Sequence, residues 1–367
     1  MNEENLSIFK LFLASDIGIK RFFKLTGSFG SASEVLHASK KDILAVEGIG
    51  AKIADEIANV NISGKAEKEI ALAAKNNIAI VLFNDPFFPQ ELKNYSDMPL
   101  VLYIKGKITE NDSNAISIVG ARKVTNYGKT VTREFSGYFA KRGVTVISGL
   151  ARGADTEAHI AAIDNNGRTI AVLGNGLLVN YPPENRKLQE KIPENGAVLS
   201  EFPLLMQPEK ATFPRRNRIV AALSKATLVT EASEKSGAMI TARIAAEYGK
   251  DVFAVPGSIY SEFSKGTNRL IKDGAFAALK PEDISEVTAF EQNEELFAQK
   301  SPKESKGLEK TEKEVLKLIG SCDEGANFDT IANHLNIDIS DLAAIILKLE
   351  IYGLVRTMPG QIYIRVR

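Results

Sequence analysis

The sequence predicts an α/β protein built around a doubly wound parallel sheet, with a helical region before the sheet and a winged helix after it. Three observations favour this fold. Short apolar runs alternate with amphipathic helical stretches over residues 78–255, as in a parallel sheet that helices cover on both faces. A Gly-Ile-Gly turn separates two helical patterns near the N-terminus. Three helical patterns and two β-rich arms occupy residues 308–367.

The composition is that of an ordinary globular protein. The chain has 367 residues, of which 44% are hydrophobic, and it carries 46 basic and 46 acidic side chains. At about 150 residues per domain, two or three domains are expected. No apolar run approaches the roughly 20 residues of a membrane-spanning helix, and the acidic N-terminus is unlike a signal peptide. The single cysteine, Cys322, allows no internal disulfide, so we expect a cytoplasmic protein without a membrane partner.

The charge is unevenly distributed although it sums to zero. Residues 113–279 contain 22 basic and 15 acidic side chains, whereas the rest of the chain contains 24 and 31. A basic middle between acidic ends suggests a polyanionic partner for the middle region. A scattered, solvated surface would give the same count, so the motifs have to decide.

Residues 1–75 are predicted to form a helical domain of the helix-hairpin-helix or SAM-like type. Gly48 and Gly50 let the backbone turn sharply before a helix that begins near Ala51. The start of such a helix can bind a phosphate, but acidic residues around the turn favour a purely structural role. These residues are Glu47, Asp55 and Glu56.

Residues 76–280 are predicted to form the sheet domain. The strand candidates are Ile78–Phe83, Leu100–Ile104, Ile116–Val119, Val144–Ile147, Thr169–Leu173, Ala197–Leu199, Thr227–Val229 and Val252–Val255. The helix candidates between them are Lys129–Arg142, Thr156–Asn165, Asn217–Ser224 and Ala238–Tyr248. Continuous apolar strands that alternate with such helices indicate a parallel sheet.

The C-terminal region is predicted to contain a linker and a winged helix. Residues 281–307 are polar and show little periodicity, which is typical of a linker. Residues 308–367 predict a winged helix, because three helix candidates precede two β-rich arms around a Pro-Gly turn. The helix candidates are Thr311–Gly320, Phe328–Leu335 and Asp341–Tyr352. The last of them carries one lysine and two acidic residues, so we expect it to contact protein rather than DNA.

The residues that follow each strand limit the ligand classes, because ligands of doubly wound sheets gather at the carboxyl ends of the strands. The turn that begins at Gly120 does not have the pattern GxGxxG. Ser148 and Gly149 stand where a dinucleotide-binding protein usually has an acidic residue. No P-loop motif occurs either. We therefore expect neither NAD, FAD nor an ATP site, and no cofactor.

Glycine-rich strand ends with basic or hydroxyl neighbours indicate an anion-binding groove instead. They are Gly120 with Arg122, Ser148 with Gly149 and Gly153, and Gly174 with Gly176. Glycine lets the backbone approach a phosphate closely, and a helix start adds N–H donors. Some of these glycines could serve only tight turns, but a groove for a phosphate backbone explains the whole set better.

The segment Lys210–Arg218 gives the strongest functional signal. It has four basic residues around Phe213 and no acidic residue. Cations at this density repel one another unless an anion joins them, and an aromatic ring can stack on an unpaired base. The alternative is a buried Phe213 beside arginines in structural ion pairs. Single-stranded DNA or RNA would satisfy both the cations and the ring.

Catalysis and metal binding are weakly supported by the sequence. Ser148, Asp155 and His159 are the residue types of a hydrolase triad, but no G-x-S-x-G turn occurs. Asp155 and His159 lie four residues apart on one predicted helix, where we expect a local hydrogen bond between them. Histidines and acidic residues are too scattered for a metal site. We therefore expect no catalytic residue and no metal ion.

Taken together, these motifs resemble the DNA-processing protein A family, also called DprA or Smf. The resemblance runs in order over about residues 77–280. It is carried by Gly120–Arg122, Ser148–His159, Thr169–Gly176, Tyr181-Pro182 with Asn185, Ser200-Glu201, Phe213–Ile219, Glu231–Thr241, Val255–Gly257 and Gly266–Asn268. Leu177 and Leu178 stand where an acidic residue is common in the family, so the nearby loop is expected to differ.

The resemblance implies a function and a set of contact residues. It implies an extended Rossmann domain that binds single-stranded DNA and forms homodimers. It also implies a recombination mediator without enzymatic activity, which loads a RecA-type recombinase onto incoming DNA during natural transformation (competence). The implied base-contacting ring is Phe213. The implied phosphate contacts are Arg122, Ser148, Gly149, Gly153 and Lys210, with Arg216, Asn217 and Arg218 close by.

A nucleotide-binding enzyme of the phosphoribohydrolase type is the alternative function. Those enzymes have a related sheet and carry a Pro-Gly-Gly-x-Gly-Thr motif. Here the corresponding region, Ala232–Met239, lacks that motif, and Pro256-Gly257 is not followed by Gly-x-Gly-Thr. The sequence therefore favours the DNA-binding mediator.

Overall fold

The computed structural model describes residues 2–14, 17–58, 62–291, 309–320, 326–352, 354–358 and 362–365. The chain divides into two compact units, residues 1–296 and 297–367. In the described part of the chain, no helix is both long and apolar enough to cross a membrane. Residues 292–307 of the predicted linker lie outside the described residues, as do Cys322 and the predicted Pro-Gly turn at residues 359 and 360.

The N-terminal region is helical, as predicted. Its helices are α1 (Glu3–Leu13), α2 (Ile19–Phe29), α3 (Ala32–His37), α4 (Lys40–Ala45), α5 (Ala51–Ile57) and α6 (Ile62–Lys75). Gly48 turns the chain between α4 and α5 with a φ of +85°, a conformation that favours glycine. Glu47 pairs with Lys24, and Asp55 pairs with Lys40. These acidic side chains are therefore engaged within the helical region.

Within the described residues, nine strands form one sheet in the order β1-β2-β6-β5-β4-β3-β7-β8-β9. They are β1 (Ile78–Leu82), β2 (Val101–Gly106), β3 (Ala115–Val119), β4 (Thr145–Ser148), β5 (Thr169–Leu173), β6 (Gly196–Ser200), β7 (Ala226–Val229), β8 (Asp251–Ala254) and β9 (Phe276–Ala277). Strands β3 to β9 pair in parallel, whereas β1 and β2 form an antiparallel extension. The predicted strands are confirmed to within two residues at each end. The short strand β9 was not predicted, because it is only two residues long.

The chain order reverses at β3, which confirms the doubly wound prediction. On one side β4, β5 and β6 follow, and on the other side β7, β8 and β9 follow. The helices of this region are α7 (Asn126–Lys141), α8 (Ala154–Asp164), α9 (Arg186–Lys191), α10 (Thr212–Ala222), α11 (Gly237–Glu247), α12 (Lys265–Lys272) and α13 (Pro281–Val287). A reversal of this kind leaves a crevice at the carboxyl ends of the central strands.

Helices cover both faces of the sheet, so its central strands are apolar throughout. Ile116 and Ile118 of β3 join the core beneath α7 and α8, while Ala115 and Val119 join the core beneath α10 and α11. All five residues of β3 are buried. This two-sided burial explains why the strand shows no polar alternation.

The N-terminal helices share a hydrophobic core with the antiparallel edge of the sheet. The ring of Phe9 in α1 lies 6.4 Å from that of Tyr103 in β2, and Phe22 in α2 lies 5.4 Å from Phe83. The backbone N–H of Leu204 donates a 2.6 Å hydrogen bond to the carboxylate of Glu69 in α6. The helical region is therefore packed against the sheet rather than built around a separate core.

Two predicted boundaries are wrong. Helix α10 begins at Thr212 rather than at Asn217, so the basic segment is itself helical. Residues 281–287, predicted as linker, form α13, whose Ile284 is buried in the same core as Phe139 of α7. Apolar residues of α13 thus extend the sheet domain beyond the predicted boundary.

The second unit is a winged helix, as predicted. Its elements are α14 (Lys310–Gly320), β10 (Ala326–Asn327), α15 (Phe328–Leu335), α16 (Ile339–Ile351), β11 (Val355–Met358) and β12 (Ile362–Arg365). Among the described residues, the strands form a sheet in the order β10-β12-β11. The unit has its own core, to which Val315, Ile331 and Leu342 belong. Helix α16 exposes Ile339 and Leu347.

Candidate nucleic-acid interface

A cleft of about 690 Å³ opens at the reversal point of the sheet. Its walls are the segments that follow β3 and β4, the first half of α10, and the start of α11. This is the position at which doubly wound sheets bind ligands. The glycine-rich strand ends and the basic segment singled out in the sequence therefore meet in one place.

Among the charged residues that line the cleft, basic side chains outnumber acidic ones. Arg122, Lys123, Lys210 and Lys235 are exposed and line it. None of them pairs with a carboxylate in the described part of the chain. Asp155 is the one acidic residue among the described residues that line the cleft. It is buried, and its carboxylate accepts hydrogen bonds from backbone N–H groups. The described lining of the cleft therefore carries an excess of positive charge.

Two partly exposed aromatic rings lie beside these cations. The ring centroids of Phe213 and Tyr181 are 5.7 Å apart, and the Arg122 guanidinium carbon lies 5.2 Å from the centre of the Phe213 ring. Phe213 packs closely over Gly174, where a Cβ atom would come within 2.8 Å of the ring. The glycine after β5 thus makes room for the ring. Tyr181 was not predicted as a site residue, because its contact with Phe213 depends on the fold.

Arg216 lies at the floor of the cleft and is held there by backbone carbonyls. It is 4% exposed, and its guanidinium donates hydrogen bonds to the carbonyls of Gly149 and Val172. Its Nε donates to the side-chain oxygen of Asn217 at 3.1 Å. Burial lowers the pKa of Arg216 to about 10, with Asp155 opposing this effect and Arg122 adding to it. The DNA contact predicted for Arg216 stays a prediction, and the structure shows that one of its terminal nitrogens joins the ends of β4 and β5.

Asp155 is a buried carboxylate whose charge acts on this arginine. Its carboxylate accepts hydrogen bonds from the backbone N–H groups of Gly149, at 3.1 Å, and Ala151, at 3.2 Å. Burial raises the pKa of Asp155, while Arg216 and the backbone bonds oppose the rise. A buried charge of one sign is costly without the other, so Asp155 and Arg216 form one structural unit.

Three predicted contacts after β4 serve the architecture of the cleft. The hydroxyl of Ser148 is buried and donates to the carbonyl of Ile118 at 2.7 Å, so it is not available to a phosphate. A Cβ atom at Gly149 would lie 2.1 Å from the Arg216 guanidinium, and one at Gly153 would lie 2.2 Å from the carbonyl of Ala121. Gly153 also has a φ of +79°. These glycines permit close packing, and the predicted role of the Ser148 side chain is corrected.

Helix α10 separates the remaining predicted contacts onto different faces. Asn217 lines the cleft and donates to the carbonyl of Gly237 at 3.3 Å. Arg218 and the exposed Arg215 instead pair with the buried carboxylate of Glu201. Residues three or four apart share a helix face, so Arg218 lies away from Phe213. The DNA contact predicted for Arg218 stays a prediction, and in the structure its guanidinium pairs with Glu201.

The triad residue types do not form a triad. His159 Nδ1 lies 2.6 Å from the hydroxyl of Thr169, and Asp155 bonds to backbone N–H groups. The expected local hydrogen bond between Asp155 and His159 is therefore wrong. Burial, together with the nearby Arg216, lowers the pKa of His159 to about 3. In the described part of the chain, no group of three or more His, Cys, Asp or Glu could hold a metal ion.

Comparison with known families places the chain. The family model described as DNA recombination-mediator protein A matches residues 79–289, which is more than half of the chain. The DprA winged helix domain matches residues 299–361. The chain belongs to the DprA family. Curated relatives agree: protein Smf of Synechocystis is 35% identical over 87% of this chain and 88% of its own length, and Smf of Escherichia coli K12 is 37% identical over 82% and 81%.

Solved structures of DprA proteins are similar to this one. DNA processing protein A from Streptococcus pneumoniae is 32% identical with a TM-score of 0.62, over 79% of this chain and all of that chain. DNA processing protein A from Helicobacter pylori, whose structure concerns its single-stranded DNA binding mode, is 32% identical with a TM-score of 0.51, over 56% of this chain and 93% of that chain.

Proposed function

We propose that this DprA protein binds single-stranded DNA in the cleft at the reversal point of its sheet. We further propose that it acts as a recombination mediator, which loads a RecA-type recombinase onto incoming strands during natural transformation. It would work as a cytoplasmic homodimer and without enzymatic activity. Family membership and the single-stranded DNA binding described for the Helicobacter pylori protein support this proposal.

One observation carries the proposal: cations without a carboxylate partner surround partly exposed aromatic rings in a single cleft. Arg122 and Lys210 can hold phosphate oxygens, and the ring of Phe213 offers a face to a base. In duplex DNA the bases are already stacked and paired, so only an unpaired base can use that face. The arrangement thus favours a single strand over a duplex.

The alternative, a nucleotide-binding enzyme, has less support. The carboxylate found among the described lining residues of the cleft is Asp155, whose oxygens accept backbone hydrogen bonds beside Arg216. A general acid or base needs access to its substrate. No observation in the cleft favours the phosphoribohydrolase reaction.

A competition experiment tests the proposal. A labelled thymidine oligomer is bound in the presence of excess duplex, with the wild type, Phe213→Ala and Phe213→Tyr. We expect the wild type and Phe213→Tyr to retain the oligomer, and Phe213→Ala to bind it about tenfold more weakly, since stacking on one ring contributes about 1–3 kcal/mol. Equal affinity for duplex and single strand would contradict the proposal.

The mediator role is tested separately on strands coated with a single-stranded-DNA-binding protein. The rate at which a RecA-type recombinase assembles on these strands should rise with the wild type and not with Phe213→Ala. If the wild type binds strands but leaves this rate unchanged, DNA binding stands and the mediator role fails.

A further inference from the structure

Glu231 is a buried carboxylate two residues after the end of β7. It is 2% exposed and is not among the described residues that line the cleft. One of its oxygens accepts the backbone N–H of Thr125 at 2.9 Å, and the other accepts the hydroxyl of the same residue at 2.6 Å. The hydroxyl oxygen of Thr125 in turn accepts the N–H of Gly128 and so caps α7. Glu231 therefore holds the residue at which the helix after β3 begins.

The chain leaves room for this carboxylate at the start of α7. A Cβ atom at Gly128 would lie 2.1 Å from one carboxylate oxygen of Glu231. Glu231 forms no ion pair with a lysine or arginine in the described part of the chain. Its charge lies instead at the start of a 16-residue helix, where the helix dipole favours an anion. This position therefore suits a carboxylate that accepts hydrogen bonds on both oxygens.

The loop that Glu231 anchors carries two of the cations of the cleft. It runs from Gly120 to Thr125, and its Arg122 and Lys123 are exposed and line the cleft. A Cβ atom at Gly120 would lie 3.1 Å from the backbone carbonyl oxygen of Glu231. Glu231 thus lies against both ends of the loop, with its backbone at Gly120 and its side chain at Thr125. The position of the two cations between these ends depends on both contacts.

Two effects of Glu231 on DNA binding have opposite signs. A negative charge beside a basic cleft repels a polyanion, so electrostatics alone predicts that removing this charge strengthens DNA binding. Anchoring of the loop holds two cations in place, so loss of the anchor weakens DNA binding. The sign of the change after a substitution therefore shows which effect is larger.

We infer that Glu231 is a positioning residue of the cleft, which holds Arg122 and Lys123 where they contact phosphates of the bound strand. The inference rests on the proposed binding of single-stranded DNA. Glu231 does not contact the strand itself and acts through the loop. Its contribution should therefore disappear when the two cations of the loop are removed, and it should persist when Lys210, outside the loop, is removed.

Substitution of Glu231 in the full-length protein tests this inference, with binding of a thymidine oligomer measured by fluorescence anisotropy. Glu231→Gln removes the charge and leaves one acceptor oxygen in place of two. We expect it to weaken binding about fivefold, which is within the range for coupled neighbouring residues. The control Glu234→Gln removes the same charge from an exposed position outside the lining of the cleft, and it should not weaken binding. If Glu231→Gln binds as tightly as Glu234→Gln, or more tightly, the inference is overturned.

A double-mutant cycle distinguishes positioning of the loop from a general loss of folded protein. In the Arg122→Ala/Lys123→Ala background, Glu231→Gln should change the affinity by less than about twofold, because the cations that it positions are gone. In the Lys210→Ala background it should again weaken binding about fivefold. Both series are measured at low salt, so that weak binding remains measurable. Equal losses in the two backgrounds would show that Glu231 acts on the fold as a whole, and would overturn the inference.

Thr125 provides a second test in which the charge of Glu231 is kept. Thr125→Val removes the hydroxyl that donates to Glu231 and should weaken binding, whereas Thr125→Ser keeps the hydroxyl and should restore the affinity. Thermal unfolding of each variant shows whether it folds. If Glu231→Gln does not fold, the two Thr125 variants decide, and equal affinity of both overturns the inference.

The outcomes separate this inference from the proposed function. If no oligomer binds the wild type, the proposed function and the inference both fail. If the wild type binds and Phe213→Ala weakens binding while Glu231→Gln does not, the inference alone is overturned.

Discussion

At the scale of single residues, the cleft depends on a buried arginine. Arg216 joins the ends of β4 and β5 through the carbonyls of Gly149 and Val172, and its charge is balanced by Asp155. The sequence places Arg216 in a basic segment, where it is indistinguishable from a DNA contact. Its role is set by burial, which a residue's identity does not reveal.

Replacing Arg216 should mainly lower the stability of the fold, because this side chain is buried. Arg216→Ala leaves Asp155 buried without its counter-charge, so we expect a loss of about 3–5 kcal/mol in the free energy of unfolding. The control Arg215→Ala removes an arginine whose side chain is 54% exposed, and it should cost less than about 1 kcal/mol. Urea denaturation measures both. Equal stability of the two variants would contradict the structural role of Arg216.

The buried histidine makes stability depend on pH. His159 has a folded-state pKa of about 3, well below its ordinary value of 6.5, so the unfolded chain binds a proton more readily. Stability from this group is therefore present above pH 6.5 and is lost as the pH falls, by about 1.4 kcal/mol for each pH unit. His159→Gln should flatten this part of the profile between pH 6.5 and 4.5, measured by urea denaturation. Parallel profiles for the wild type and the variant would show that His159 does not titrate in this way.

At the scale of elements, helix α10 sorts a run of basic residues onto two faces. Phe213, Arg216 and Asn217 line the cleft, while Arg215 and Arg218 meet Glu201. The face of each residue follows from where the helix begins. A proline in the first turn of a helix costs little. Pro214 therefore lies within α10, although the sequence predicts that this helix begins only at Asn217.

This sorting predicts which basic residues affect DNA binding. Arg122→Ala and Lys210→Ala should each weaken binding of a thymidine oligomer by about tenfold, because a charged phosphate contact is lost. Arg215→Ala removes the same charge from the opposite face and should leave affinity within about twofold. Fluorescence anisotropy at one salt concentration gives all three values. If Arg215→Ala lowers the affinity as much as Arg122→Ala does, DNA also contacts the opposite face of α10, and this prediction is contradicted.

The winged helix should contribute little to DNA affinity. Residues 308–367 hold 7 basic and 9 acidic residues, and α16 exposes the apolar side chains of Ile339 and Leu347. Such a surface favours contact with protein. A chain ending at residue 296 should therefore bind oligomers as tightly as the full chain, measured by the same anisotropy assay. A large, salt-sensitive loss on truncation would assign DNA binding to the winged helix.

The elements that the sequence predicted are those with a repeating signal. Buried strands such as β5 show continuous apolar runs, and Gly48 marks a turn that requires positive φ. The errors have physical causes. Strand β9 is too short to show a pattern. The segment that forms α13 is acidic and was therefore predicted as linker, but its Ile284 packs into the core. In the candidate site, the strand ends and Phe213 were predicted to be close. The buried state of Ser148 and the contact of Tyr181 with Phe213 depend on tertiary structure.

At the scale of the whole molecule, the neutral net charge conceals a basic sheet domain. Residues 113–279 hold 22 basic and 15 acidic residues, and they belong to the domain that contains the cleft. A field of this kind steers a polyanion toward the cleft and away from the acidic ends of the chain. Binding should therefore depend strongly on salt.

The most direct test of the account is the affinity of a thymidine oligomer across a salt series. Each phosphate neutralised on a single strand contributes a slope of about −0.7 in log affinity against log salt. Arg122, Lys123, Lys210 and Lys235 together predict a slope near −3 for the wild type. Lys210→Ala should make the slope shallower by about 0.7, whereas Phe213→Ala should weaken binding without changing the slope. No binding at low salt, or a slope that Lys210→Ala leaves unchanged, would contradict the assignment of the cleft as the DNA-binding site.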